Sequence, residues 1–466
     1  VNDYLKNIIA LVDFARFNLA QSEAEIKKHW LSDSSKVLLI EGARQVGKSF
    51  IIRKVGSEYF PNYIELNMAE DRSGPRIFEN VNSTENFYIA VSSLAGEKLK
   101  KRENTLIFID EIQEYPNLLT ILKFLRQENL YTYIASGSLL GLALAETTSI
   151  PVGSVERRQM YQLDFEEFLI ANGFGQKAIE AMQKSFEERT ELDAGLHERV
   201  IDLFKKYLIV GGMPECVNCY LETKNVAKIR QIQRDIISYY GADAAKRDEE
   251  KKLKIRRIYD MLPLVMQNTK KRIVAKDIEG IKGKRFAGYA DEFDYLINSG
   301  IANDVKAVSN PVFPLCQSAA KNLLKLYIND PGLLSCLLYR NNIKPILDDV
   351  RSINLGALYE TAISCELKSL GFERLFYYDN NKNGEVDFLI DNYDSLSVLP
   401  IEVKSGRDYR IHSAINRFVS NDDYPVKEGI VLCTERSVKV TGKITHMPVY
   451  YCIFLKPNAE EDNLLL

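Results

Sequence analysis

Eight consecutive residues, Gly42-Ala43-Arg44-Gln45-Val46-Gly47-Lys48-Ser49, have the types and spacing that hold a polyphosphate. They fit GxxxxGK[ST], in which glycines let backbone N–H groups wrap the phosphates and the following helix N-terminus favours an anion. In that arrangement Lys48 reaches the β- and γ-phosphates and the Ser49 hydroxyl ligates Mg²⁺. The acidic partner lies further along, where Leu106-Ile-Phe-Ile109 runs into Asp110-Glu111. Four apolar residues followed by two acids form the Walker B pattern. Asp110 would hold Mg²⁺ through water, and Glu111 would polarise the attacking water. The plainer alternative for the acids alone is a pair capping a helix start. Arg157 and Arg158 add an arginine pair that could supply transition-state charge stabilisation in cis or from a neighbouring copy; the alternative is a surface pair.

A second constellation lies near the C-terminus. Asp387 sits in Glu385-Val-Asp-Phe-Leu-Ile390, and Glu402 and Lys404 sit in Ile401-Glu-Val-Lys404. Strand alternation puts Glu402 and Lys404 on one face. Two carboxylates and an ammonium on neighbouring strands suit a Mg²⁺ or Mn²⁺ site for phosphodiester chemistry, with Glu360 on the preceding helix as a further ligand. The alternative is an ion-pair cluster in a fold that does not cut. Either way, charges in apolar strands demand partners.

These residues need elements to position them. Lys36-Val-Leu-Leu-Ile40, Thr105 to Ile109 and Tyr131-Thr-Tyr-Ile-Ala135 read as buried strands, with a helix over 48 to 56. Strands alternating with helices predict a parallel α/β sheet over about residues 36–170. Residues 1–35 read as a helical lead-in on Leu5, Ile8, Ile9 and Val12. Residues 175–255 read as charged helices, with a mixed-sign run from Lys246 to Arg257. Ile255 to Met266, Val274 to Ile281 and Phe286 to Ser299 read as three short helices followed by extended segments, a winged-helix pattern. A helix follows over Asn354 to Leu370. Strands are expected at Glu385 to Ile390, Leu399 to Lys404, Gly429 to Cys433 and Val449 to Leu455.

The composition bounds the rest. The 466 residues suggest about three domains. A net charge of −3 excludes a global basic field, so any DNA contact would come from local cations: Lys270, Lys271, Arg272, Lys282, Lys284 and Arg285. Asp291, Glu292 and Asp294 on the last of the three expected helices oppose phosphate and favour protein partners. Seven scattered cysteines suit a reducing cytoplasm. Cys216 and Cys219 form a lone CxxC, read as two thiols on one helical face rather than a zinc site. No apolar run reaches the ~18 residues of a membrane span, and no signal peptide is apparent at the N-terminus.

Four stretches together resemble the AAA ATPases that carry a C-terminal DUF4143 domain. They are Gly42 to Ser49; Val152-Gly-Ser-Val-Glu-Arg-Arg158 with Leu163-Asp-Phe-Glu-Glu-Phe-Leu169; Gly211-Gly-Met-Pro-Glu215; and Gly384-Glu-Val-Asp-Phe388 with Pro400-Ile-Glu-Val-Lys-Ser405. The resemblance spans nearly the whole chain. It implies an α/β fold: a P-loop AAA core over 1–175, a helical lid over 176–250, a winged helix over 251–325 and a restriction-endonuclease-like, PD-(D/E)xK domain over 326–466. It also implies that Ser136 or Ser138 places a polar group between the two Walker elements, and that Glu360 in Leu358-Tyr-Glu360 belongs to the nuclease-like site. Ser154 departs from the glycine expected beside the arginine, so the finger stays open between Arg157 and Arg158. The expected activity is Mg²⁺-dependent ATP hydrolysis in the cytoplasm, coupled to nucleic-acid binding or processing, in a chain able to form homo-oligomers. The competing expectation is a nucleotide-gated switch that binds protein and does not cleave.

Overall fold

A computed structural model describes residues 36–100, 105–138, 153–243, 249–268, 270–281, 285–348, 353–380, 382–405 and 413–457. The helical lead-in of residues 1–35, Lys246, Lys282 and Lys284 lie outside the described residues. The chain divides into two compact units. The first holds the described residues up to Gln162 with Asn298–Ile301, and the second holds Leu163–Ile297 with Ala302 onward.

The first unit is a five-stranded parallel sheet. Its strands are β1 (Val37–Glu41), β2 (Asn62–Asn67), β3 (Thr105–Asp110), β4 (Thr132–Gly137) and β5 (Val155–Gln159), in the order β2-β3-β4-β1-β5. All six residues of β3 are buried. Helices cover both faces of a parallel sheet, so its central strands read as unbroken apolar runs. Strand β1 hands directly to helix Lys48–Tyr59, which buries Ile51, Ile52 and Val55. The edge strands escaped the sequence reading for opposite reasons. Strand β2 alternates polar and apolar residues, with Ile64 and Leu66 turned inward. Strand β5 is Val-Glu-Arg-Arg-Gln, a charged edge that resists pairing with another chain.

The second unit joins a helical layer to a mixed sheet. Helices Gln176–Glu187, Ala194–Val210, Pro214–Thr223 and Val226–Asp243 occupy the stretch expected to be helical. The sheet contains β6 (Ala302–Val308), β7 (Ala319–Ile328), β8 (Leu375–Asn380), β9 (Gly384–Asn392), β10 (Ser397–Val403), β11 (Gly429–Cys433), β12 (Lys439–Thr441) and β13 (Ile444–Pro448), in the order β12-β13-β11-β10-β9-β8-β6-β7. Helices Glu249–Gln267, Ala275–Glu279 and Ala290–Asn298 precede the antiparallel pair β6 and β7, the order expected of a winged helix. That pair is also built into the larger sheet, because β6 pairs with β8 in parallel. The boundary expected at 325/326 therefore runs through β7. Val449–Phe454 was expected to be a strand and is a 3-10 helix. Its Val-Tyr-Tyr-Cys-Ile run is buried throughout, and a short, fully buried apolar run carries no periodicity to separate strand from helix.

One buried acid anchors the helical layer. Asp330 is fully buried; it accepts from Leu333 N at 2.8 Å as the cap of helix Pro331–Tyr339, and from Gly212 N at 2.6 Å. The close approach requires glycine at 211, whose φ is +76° and whose added Cβ would sit 2.0 Å from Asp330 Oδ1. Gly211→Ala combines a left-handed alanine with loss of this cap, and should cost about 2–4 kcal/mol in denaturant unfolding of the full chain. A change under about 0.5 kcal/mol, the range of a neutral surface site, would contradict this account of the turn.

Candidate functional site

In the first unit, the loop between β1 and helix Lys48–Tyr59 is shaped by backbone rather than side chains. Gln45 and Gly47 take positive φ, 66° and 102°. Gly42 (φ +151°) has no room for a side chain: a Cβ there would lie 2.2 Å from the Met160 carbonyl oxygen. Met160 N in turn donates to Glu41 O at 2.7 Å, so the start of the loop is stitched to the end of β5. Gly47 supplies no side-chain cap and the first helical turn holds no acid. The helix thus brings no capping side chain or carboxylate of its own to its positive end, where backbone N–H groups favour an anion. Ala43 and Val46 are buried and hold the loop to the core.

Lys48 is buried, and its ammonium donates to Gly42 O and Ala43 O, both at 2.8 Å. It therefore closes on the loop that carries it. Asp110, also buried, gathers three donors. Ser49 Oγ donates to Oδ2 at 2.7 Å, Glu111 N donates to Oδ1 at 3.1 Å, and Ser136 Oγ donates to Oδ1. Strand β4 lies between β1 and β3, and Ile40 stands opposite Ser136 in register. Ser136 thus stands on the strand between β1 and β3 with its hydroxyl on Asp110. The hydroxyl of Ser138 is buried and has no hydrogen-bond partner among the described residues. Ser49 Oγ and the Asp110 carboxylate are hard oxygen donors on adjoining elements, and they fit Mg²⁺. Glu111 stands in the left-handed region at φ 53°, ψ 43°, and its carboxylate accepts from Gln113. A non-glycine residue held there is a strained position of the kind found at active sites.

The arginine pair is placed differently. Arg157 makes a bidentate ion pair with Glu41, the residue before the loop, at 2.7 and 2.8 Å. Arg158 pairs with Glu156 at 2.7 Å. Both guanidiniums face glutamates of their own unit. Arg157 lies one side chain away from the nucleotide loop, through Glu41.

In the second unit the C-terminal carboxylates do meet, with more lysines than the sequence reading supplied. Asp387 on β9 accepts from Val403 N at 2.8 Å. Glu402 on β10 pairs with Lys404 at 2.7 Å, while its second oxygen is buried without a hydrogen-bond partner among the described residues. Glu360, on helix Gly356–Ser369, accepts from Tyr327 Oη at 2.8 Å and from the Lys271 ammonium. Lys325 on β7 has a fully buried side chain, stands 2.5 Å from Glu385 and lies over the Tyr377 ring at 4.5 Å. Lys325 was absent from the sequence reading, yet a lone lysine inside Leu-Leu-Lys-Leu-Tyr-Ile is the signal that could have found it.

The fields in this cluster follow from burial and spacing. Burial pushes Asp387 well above the usual carboxylate range, and Glu360 and Glu402 push it further. Burial also raises Glu402, against the pull of Lys404. Burial alone would raise Glu360, but Lys271 and Lys325 outweigh it and hold it low. Glu385, Glu360 and Asp387 overcome the burial of Lys325 and keep it charged. Four carboxylates, Glu360, Glu385, Asp387 and Glu402, thus face three ammoniums, Lys271, Lys325 and Lys404. Among the described residues, no group of three or more His, Cys, Asp or Glu side chains is placed to hold a metal ion. The described cations expected to meet DNA are partly spent here: Lys270 and Arg272 pair with Asp379 and Lys271 with Glu360. Cys216 is buried in helix Pro214–Thr223, and burial pushes its thiol up, away from metal-binding thiolate. Among the described residues no helix is long and apolar enough to cross a membrane.

A cation removed from this cluster strands its acids. Lys325→Met should destabilise the chain by about 3–5 kcal/mol, as expected when one partner of a buried pair is lost. Lys404→Met should cost less than Lys325→Met, because the Lys404 side chain is 26% exposed against 0% for Lys325 and water replaces part of its charge. Equal costs in denaturant unfolding would contradict the assignment of Lys325 as the buried counter-ion.

Comparison with known proteins finds family matches in three stretches of the chain. Residues 34–169 match the model of an AAA domain, residues 201–344 a domain of unknown function (DUF8612) and residues 355–452 a domain of unknown function (DUF4143). No curated protein matches the chain. Among solved structures, the chain is similar to the Walker-type ATPase paby2304 of Pyrococcus abyssi, at 14% identity and TM-score 0.44, covering 70% of this chain and 95% of that one. It is also similar to the Aeropyrum pernix Orc1 protein in complex with DNA, at 13% identity and TM-score 0.29, covering 74% and 96%. The RuvB Holliday junction branch migration motor of Thermotoga maritima follows, at 15% identity and TM-score 0.28, covering 61% and 88%. Residues 34–169, with their parallel sheet and glycine-rich loop, are an AAA domain of the P-loop ATPase type, and residues 355–452 are a DUF4143 domain.

Proposed function

We propose that this chain binds ATP with Mg²⁺ and hydrolyses it at the loop from Gly42 to Ser49. The observation that carries the reading is the convergence of Ser49 and Ser136 on the buried Asp110 carboxylate, beside an uncapped helix N-terminus. Bound Mg²⁺ supplies charge neutralisation on the phosphate oxygens. Ser49 and Asp110 would hold it. Lys48 would exchange its two carbonyl partners for phosphate oxygens, and Glu111 would orient the attacking water and accept its proton. Arg157 would remain a finger only by leaving Glu41, in cis or toward another copy.

Two readings of the output remain distinct, and each has its own support. The interaction-switch reading draws on the ammoniums of Lys271, Lys325 and Lys404 already paired with the acids of the cluster and on the internal pairing of Lys270 and Arg272. We take it as the better supported: ATP turnover would gate a protein partner while the C-terminal domain does not cleave. The nucleic-acid reading, with metal-dependent cleavage, draws on the free oxygen of Glu402 next to Asp387 and Lys404. It needs an ammonium to leave before a cation enters.

Lys48→Ala should abolish ATP turnover, whereas Glu111→Gln should keep ATP binding and slow phosphate release by about 10²-fold or more, the scale of a general base. Steady-state phosphate release with fluorescent-nucleotide binding checks both; turnover unchanged in either variant would remove that residue from the chemistry. Purified full chain should leave plasmid and single-stranded DNA intact with Mg²⁺ or Mn²⁺, with or without ATP. Cleavage that disappears in Asp387→Ala would overturn the switch reading in favour of a nuclease.

A further inference from the structure

Unassigned space opens in the helical layer of the second unit. A cavity of about 420 Å³ lies among helices Ala194–Val210, Pro214–Thr223, Val226–Asp243 and Lys344–Leu347, almost wholly within the DUF8612 region. Its size falls in the range of small-ligand sites. The wall is apolar: Ile209, Tyr220, Ile229, Ile343 and Leu347 contribute to it.

The wall stays apolar because the backbone behind it is already bonded. Ile209 O accepts from Arg230 Nη1 at 3.1 Å and Gln233 Nε2 at 3.0 Å, and Val210 O accepts from Gln233 Nε2 at 3.0 Å. Both donors are 0% exposed, so these carbonyls have their partners without turning to the cavity. Carbonyls bonded in this way hold the wall in one shape.

The charged side chains lining the cavity are two lysines, Lys206 and Lys224. Lys206 pairs with Asp202 at 2.5 Å. Lys224 has no carboxylate partner among the described residues; its ammonium lies 3.8 Å from the Tyr220 ring centroid. Burial and the field of Lys206 lower its pKa, the mark of an ammonium lacking a counter-charge. Behind the wall, Arg230 is a third cation. Its Nη1 donates to Gln233, Ser335 and the Ile209 carbonyl, while its Nε and Nη2 have no hydrogen-bond partner among the described residues. The two lining lysines thus share one carboxylate partner, Asp202, among the described residues.

We propose that this cavity is a binding site for a small amphipathic anion, whose apolar body fills the hollow and whose carboxylate lies between Lys206 and Lys224. A free aliphatic carboxylate fits best, because the lining is apolar apart from the two lysines and the Tyr220 hydroxyl, which together suit one polar head group rather than a polar ligand body. Occupation would tie together four helices of the layer, and so couple ligand to the rigidity of that layer. The site stands apart from the nucleotide chemistry, and its test does not depend on ATP turnover.

The probe is decanoate, titrated calorimetrically into the full chain, with decyltrimethylammonium as the apolar control of opposite charge. Decanoate should bind saturably at one per chain, and the cation should not. Lys224→Met, at an exposed helix end, should weaken decanoate at least tenfold while leaving the thermal midpoint of the free chain unchanged. Val226→Trp at the cavity rim should remove binding by filling the space. Absence of saturable decanoate binding, equal binding of the two head groups, or full binding in either variant would overturn the proposal.

Discussion

A carboxylate buried beside a phosphate-binding loop must be bonded or it repels what the loop is built to hold. Asp110 meets that condition with the hydroxyls of Ser49 and Ser136 and the amide of Glu111. Those partners come from the helix after β1, from β4 and from the residue after β3. Only a sheet with β4 between β1 and β3 brings them to one carboxylate, and that is the strand order found. The acid thus fixes the end of β3 against the helix that starts at Lys48. The glycines then do what side chains cannot: Gly42 passes against the Met160 carbonyl and Gly47 turns the chain into the helix without capping it.

The second unit solves a related problem by another means. Its carboxylates are gathered on one side of a mixed sheet, where desolvation would be costly without compensation. Ammonium groups from three separate stretches, Lys271, Lys325 and Lys404, supply that compensation. A cation site and an ion-pair cluster use the same acids. What separates them is whether the counter-charge is resident in the chain, and here most of it is. The exception is the second oxygen of Glu402, which keeps the nuclease reading open to experiment.

What the sequence disclosed follows the physics of each element. The central strands of the first unit were legible because burial on both faces leaves continuous apolar runs, and the loop was legible because its glycines and lysine sit at fixed spacing. Ser136 was foreseeable once a strand between the Walker elements was assumed. Strands β2 and β5 were not, since an alternating edge and a charged edge imitate loop. Val449–Phe454 imitated a strand because a short run buried on all sides has no period. The neighbours of Glu360 lay beyond reach for a different reason: Lys271 and Lys325 are 89 and 35 residues away in the chain, and only the fold brings them to it. The ion pairs of Lys270, Lys271 and Arg272 with Asp379 and Glu360 lay beyond reach on the same point, because pairing is a property of the fold and not of the composition.

The central claim is that Asp110 and Ser49 form the cation-dependent half of a nucleotide site. Calorimetric titration of ATP into the full chain, with Mg²⁺ and with chelator, tests it most directly when set beside the same pair of titrations on Asp110→Asn. The account predicts that Mg²⁺ tightens ATP binding in the natural chain and loses most of that effect in the variant. An identical Mg²⁺ dependence in both proteins would contradict it.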